Sequence, residues 1–176
     1  MKRALKSKKA FTLVELIVVI ALMGIVGLAV TLIFVSANET TVKLAEQTDI
    51  NVKTNYVMET VQTQLRFAGD LAIGDPADAG ADADRRYLYS EDGKIYIQEG
   101  REAARDMFDE AFYQGYSVGM EVTLIQKNVV ILSITTESKN NPEVAYSLET
   151  EISAMNTQTV EGAGPGSMIA YTWSTP

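Results

Sequence analysis

From Phe11 to Val35 the chain is apolar on every side of a would-be helix, interrupted only by Thr12, Glu15, Gly24, Gly27 and Thr31. That run exceeds the roughly 20 apolar residues that cross a bilayer. From Asn38 to about Ile73 the pattern turns periodic: Leu44, Ile50, Val57, Val61, Leu65 and Ala68 recur at spacings near three and four, with no Pro and no Gly before Gly69. This predicts an amphipathic continuation of the same helix. Its many Thr and Asn residues are weak helix formers, so packing of the apolar face has to supply the stability. A continuous helix from Phe11 to Ile73 would be about 90 Å long at 1.5 Å per residue. Its inner half would be an apolar spine, tolerable in lipid or among copies of itself.

After the helix the period changes. Gly74 to Asp84 is rich in Gly, Pro and Asp and reads as a loop. Tyr87 to Tyr89 and Ile95 to Ile97 flank the turn signal Glu91-Asp92-Gly93 and predict a hairpin. Ala104, Phe108, Ala111 and Phe112 predict a short helix or helical turn within Arg101 to Tyr113. Met120 to Gln126 and Val129 to Thr136 predict a second hairpin about Lys127-Asn128, and Val144 to Ile152 alternates as a strand with one buried and one wet side. Gly162 to Gly166 reads as a flexible linker, followed by an apolar end in which Tyr171 and Trp173 dock on the sheet. A partner-binding role for these two aromatics is the alternative.

The predicted class is α+β: a long N-terminal helix, membrane-spanning in its first half and amphipathic in its second, packed on a C-terminal antiparallel β-sheet meander. The predicted segments are a leader 1–10, a transmembrane helix 11–37 and one globular domain 38–176. That domain divides into helix 38–73, loop 74–86, sheet 87–156 and tail 157–176.

Charge changes the picture at the amino terminus. Lys2, Arg3, Lys6, Lys8 and Lys9 precede the apolar run with no acid among them, and their loss would take the formal net charge from −8 to −13. Basic residues held on the cytoplasmic side put the body of the protein outside, and an acidic body repels nucleic-acid phosphates. A carboxylate within a membrane-length apolar run costs about 2.5–3.5 kcal/mol, so Glu15 needs a reason. A secretory signal peptide cut near Val35-Ser36-Ala37 leaves Glu15 and the length of the run unexplained. A plain signal anchor leaves Glu15 to chance.

Lys8-Lys9-Ala10-Phe11-Thr12-Leu13-Val14-Glu15-Leu16 resembles the processing motif of type IV prepilins and pseudopilins. The resemblance implies cleavage between Ala10 and Phe11 by a prepilin peptidase and N-methylation of Phe11. It also implies pairing of the Glu15 carboxylate with the terminal amine of a neighbouring subunit, in which two opposite charges relieve each other's desolvation. The family usually has Gly where this chain has Ala10; a small residue is kept. The resemblance further implies the pilin fold. Partners would be other pilin or pseudopilin subunits, the peptidase, an inner-membrane assembly platform and membrane lipid, with no direct nucleic-acid contact. Gly24 and Gly27 would serve assembly by letting helices approach closely, or are ordinary membrane glycines.

Candidate chemistry is sparse. With no His and no Cys, imidazole bases, thiol nucleophiles and the usual zinc sets are excluded, and neither a phosphate loop nor a nucleophile elbow is present. Asp75, Asp78, Asp82 and Asp84 are a weak candidate calcium site without EF-hand spacing; a solvated acidic loop is the alternative. Glu149 and Glu151 share the wet face of their strand. No cofactor and no enzymatic activity are expected. The leading expectation is a structural subunit of a type IV pilus or pseudopilus, first single-pass in the cytoplasmic membrane and then at the cell surface. The alternatives are a membrane-anchored adhesin or binding domain and a pseudopilin of a type II secretion or DNA-uptake system.

Overall fold

The computed structural model describes residues 12–66, 68–153, 160–162 and 164–173. The chain divides into two compact units, residues 1–43 and 44–176. Helix α1, Leu13–Leu65, contributes to both. Its Thr residues are accommodated because their hydroxyls bond backward within the helix. Thr40, Thr41, Thr48, Thr60 and Thr63 each donate Oγ1–H to the carbonyl four residues earlier, at 2.7–2.9 Å.

In the larger unit one face of α1 is buried: Ile50, Thr54, Val57, Met58, Val61 and Leu65. Their spacing of three and four residues is that of a single helical stripe. Leu44, expected on that stripe, is 62% exposed, so the core face starts one and a half turns later than the sequence pattern suggested. Thr54, not expected there, is fully buried and satisfied: its hydroxyl donates to Ile50 O and shares a hydrogen bond with the Thr136 hydroxyl, both at 2.8 Å.

The strands are β1 (Ala68–Gly74), β2 (Arg86–Glu91), β3 (Lys94–Glu99), β4 (Arg105–Asp106), β5 (Tyr116–Gln126), β6 (Val129–Ser138), β7 (Ala145–Ser153) and β8 (Met168–Trp173). They form two antiparallel sheets, β1-β8-β2-β3-β4 and β5-β6-β7. One hydrophobic cluster is shared by both. Val57, Val61 and Leu65 of α1 meet Leu71, Leu88 and Tyr171 of the first sheet and Val118, Leu132 and Ile134 of the second. Both expected hairpins are present. The β2–β3 turn places Asp92 at φ 49° and Gly93 at φ 75°, the double positive pair that suits the twist of a two-residue hairpin.

Several expectations are corrected. α1 ends at Leu65, and residues 68–74 are a strand, because β1 finds a partner about a hundred residues away: Leu71 pairs with Tyr171 and Ile73 with Ile169. No local pattern carries that pairing. The sheet is not one meander, since the last strand inserts between β1 and β2 and also pairs Leu88 with Ile169. Residues 168–173 of the expected tail are accordingly an interior strand, and Tyr171 is fully buried. The presumed linker is packed: a Cβ on Gly166 would lie 2.6 Å from Gly74 O, closer than any side chain tolerates. The segment 74–86 contains a short 3-10 turn, Pro76–Asp78, and ends in β2. Where a short helix or helical turn was expected within 101–113, no helix forms: the two-residue β4 is followed by overlapping turns in which Phe112, Tyr113 and Gln114 N–H each donate to the carbonyl three residues earlier. There Phe108 and Phe112 stack on each other at 4.5 Å and approach Tyr56 of α1, at 5.5 and 6.1 Å. The helical spacing of those rings reflects this cluster. Residues 154–156, placed at the end of the sheet by the sequence, lie outside the described residues.

Two buried phenols tie the core to pH. Burial pushes Tyr113 and Tyr171 up to about 12. Tyr113 Oη exchanges hydrogen bonds with Ile95 N–H and Ile95 O, both at 3.1 Å. In the unfolded chain these phenols ionise near 10, so between about pH 10 and 12 the unfolded state releases protons that the folded state retains. Their contribution to stability is full below about pH 10 and is lost as pH rises towards 12. Thermal unfolding followed by circular dichroism should show a steeper fall in Tm from about pH 9.5 to 11.5 than in the Tyr113→Phe/Tyr171→Phe variant. Parallel curves would refute the assignment.

Candidate processing and assembly segment

The amino end of α1 is closed by a capping box. Thr12 is the N-cap, and its carbonyl accepts Leu16 N–H at 3.2 Å. Its side-chain oxygen accepts Glu15 N–H at 3.3 Å. In return Glu15 Oε2 accepts Thr12 N–H at 2.9 Å and Thr12 Oγ1–H at 3.0 Å. Two backbone donors that a helix start leaves without partners are thereby satisfied. The signature Thr-x-x-Glu stands in the sequence at residues 12 to 15. Ala10 and Phe11, the expected cleavage junction, lie outside the described residues.

Beyond the cap, α1 carries its apolar side chains uncovered. Leu13, Met23 and Phe34 are 73–75% exposed, and every large apolar residue from Leu13 to Val35 is exposed. By length and composition this is a helix able to cross a membrane, and none of its most apolar stretch is buried within the chain. Gly24 and Gly27 meet nothing beyond their own helix turn: a Cβ built on either has no other atom within 4 Å. The fold of the chain itself therefore gives no reason for these two glycines. Thr31 Oγ1 donates to Gly27 O at 2.9 Å, which leaves the polar hydroxyl satisfied within the helix.

The acidic loop is not gathered into a site. Asp82 Oδ1 accepts Asp84 N–H at 3.0 Å, and its Oδ2 faces Arg85 Nε at 3.7 Å. Asp75 caps the 3-10 turn by position, without a side-chain bond. Among the described residues no three acidic side chains converge as metal ligands would.

The cap is testable by itself. Thr12→Ala should speed amide exchange over residues 13–16 of the protein in detergent micelles about fivefold, the equivalent of about 1 kcal/mol for a lost N-cap. Thr12→Ser should retain wild-type protection. Equal exchange in all three proteins would show that the capping box does not hold the first turn.

Residues 5–31 match the family model of the prokaryotic N-terminal methylation motif; the chain carries that motif. No curated protein matches the chain. Among solved structures, the D319A mutant of the PilB minor pilin from Streptococcus sanguinis is similar at 20% identity and TM-score 0.49, over 68% of this chain and 33% of that one. The chain thus spans about a third of the length of that protein.

Proposed function

We propose that this chain, which carries the prokaryotic N-terminal methylation motif, is a structural subunit of a type IV pilus or pseudopilus. The observation that carries the reading is an apolar helix, uncovered on every side from Leu13 to Val35 and headed by Glu15, in the same chain as a compact acidic domain. A prepilin peptidase cuts between Ala10 and Phe11 and the new terminus is methylated. The basic leader holds the amino end in the cytoplasm while residues 38–176 stand outside. The apolar helix then exchanges lipid for the helices of neighbouring subunits, delivered by an inner-membrane assembly platform. Apolar contacts supply attraction without register. Glu15 supplies register by meeting the terminal amine of a neighbour, as a single polar residue does in a coiled coil.

Mass spectrometry of exported protein should give an amino terminus at N-methylated Phe11; a start at Asn38 would mean a secretory signal. Glu15→Val should leave insertion and cleavage intact and lower the amount of the subunit in sheared filaments at least about tenfold, on the scale of a lost partly buried charge pair. Glu15→Gln, which keeps an acceptor for the Thr12 cap and removes the charge, should fail nearly as badly. Wild-type incorporation of both variants would overturn the register role and favour a membrane-anchored binding domain.

A further inference from the structure

Most sheet borders in residues 44–176 are blunted. β1 exchanges backbone bonds with residue 161: Ile73 N–H donates to Glu161 O at 2.8 Å and Glu161 N–H donates to Leu71 O at 2.9 Å. β4, at the opposite border, is two residues long. The outer side of β5 is bridged where Val118 N–H donates to Gly93 O at 2.9 Å, and where Val122 and Gly166 exchange bonds at 2.8 and 2.9 Å. β7 is different. It is nine residues long and pairs with β6 in unbroken register from Ala145 to Ser153. Among the described residues no backbone bond reaches its outer edge. It contains no Pro, no Lys and no bulge, which are devices that disarm an open edge.

Beside this edge runs a groove of about 540 Å³, lined by Glu59, Gln62 and Thr63 of α1, by Arg66 just beyond its end, and by residues 150–153 of β7, Glu151 among them. On the other face of β7, Glu149 and Glu151 are exposed, and their cross-strand neighbours on β6 are Ser133 and Ile131. Neither carboxylate has an ion pair among the described residues. An additional strand would bring the missing cross-strand charges to them.

We propose that the β7 edge is a docking strand that accepts an extended basic segment of a partner protein by β-augmentation. The incoming strand places Lys or Arg at alternate positions beside Glu149 and Glu151, and polar side chains at the intervening positions over the groove. Backbone bonds hold it and the alternating side chains select it. Full-length antiparallel pairing with a second copy of β7 is unfavourable. Antiparallel pairing about Glu149 opposes Glu149 to itself, and pairing about Thr150 opposes Glu149 to Glu151; like charges directly opposite destabilise a sheet. This surface is independent of the apolar helix and of its assembly role, because no residue of that segment takes part.

The test uses the full chain in detergent micelles at about 0.15 M salt, where long-range attraction is screened beyond about 8 Å. The probe is a synthetic peptide of about seven alternating Thr and Lys residues. It should slow amide exchange within residues 145–153. One of its two alternately N-methylated forms should bind at least about tenfold more weakly, because only one frame of peptide amides faces β7 while both forms keep the charge. Glu149→Lys/Glu151→Lys, on the solvent face and checked for folding by circular dichroism, should reverse the preference towards a Thr/Glu peptide. The proposal falls if protection is absent from β7 or if both N-methylated forms bind like the parent, which would be plain attraction to an acidic protein. It also falls if the reversed variant keeps the original preference, or if β7 becomes protected by dimerisation without peptide.

Discussion

Burial of one stripe of α1 is the interaction on which the rest of the larger unit depends. Val57, Val61 and Leu65 belong to one hydrophobic cluster with residues of both sheets, and a sheet has to bury its apolar face against another layer to be stable. Each of these side chains is worth about 1.5–3 kcal/mol of transfer free energy when fully buried. The stripe also sets what the helix can tolerate. Where it is buried, hydroxyl groups have to be satisfied internally, as Thr54 is by Ile50 O and Thr136 Oγ1. From Leu13 to Val35 there is no stripe at all, and the apolar surface is uncovered on all sides.

Closure of the first sheet depends on β8. It lies between β1 and β2 and bonds to both, so the five-stranded sheet exists only through residues close to the end of the chain. Gly166 is required there because its Cα passes against the Gly74 backbone. The buried Tyr171 then reaches α1, its hydroxyl donating to Gln64 Oε1 at 3.4 Å. A centrally placed strand carries side chains buried on both faces, and β8 accordingly shows no clean alternation: Met168, Ile169, Ala170 and Tyr171 are all buried.

That explains which elements were legible in the sequence. β2 with β3, β5 with β6, and β7 announce themselves, because each pairs with its neighbour in the chain across a recognisable turn, and because β6 and β7 alternate. β6 buries Val130, Leu132 and Ile134 and β7 exposes Glu149 and Glu151. β1 and β8 pair with each other over a long separation. Without that pairing in view, Ala68 continued the helical spacing of Leu65, and Met168 to Trp173 read as an apolar end docked on the sheet, not as a strand within it. The aromatic cluster of Tyr56, Phe108 and Phe112 misled in the same way, since tertiary contact produced a spacing that locally mimicked a helix. Of the candidate site, the apolar run and its single acid were plain from composition. The function of Thr12 was written in the same residues, as a capping signature overlooked beside the cost of Glu15.

The cap bears on how an acid can persist in such a segment. A carboxylate with no partner in apolar surroundings is driven to neutralise itself. Here Glu15 already accepts two hydrogen bonds from Thr12, both on Oε2, and one of its donors is a backbone N–H that the helix start would otherwise leave unsatisfied. The acid and the helix terminus therefore reduce each other's cost within the one chain. A carboxylate offers about four acceptor positions over two oxygens, and Oε1 makes no hydrogen bond among the described residues. Capping and a charge pair with a neighbouring amine are thus compatible on the same side chain. The cap occupies Oε2, so the register role proposed for Glu15 would need only Oε1 and would leave the bonds that start the helix in place.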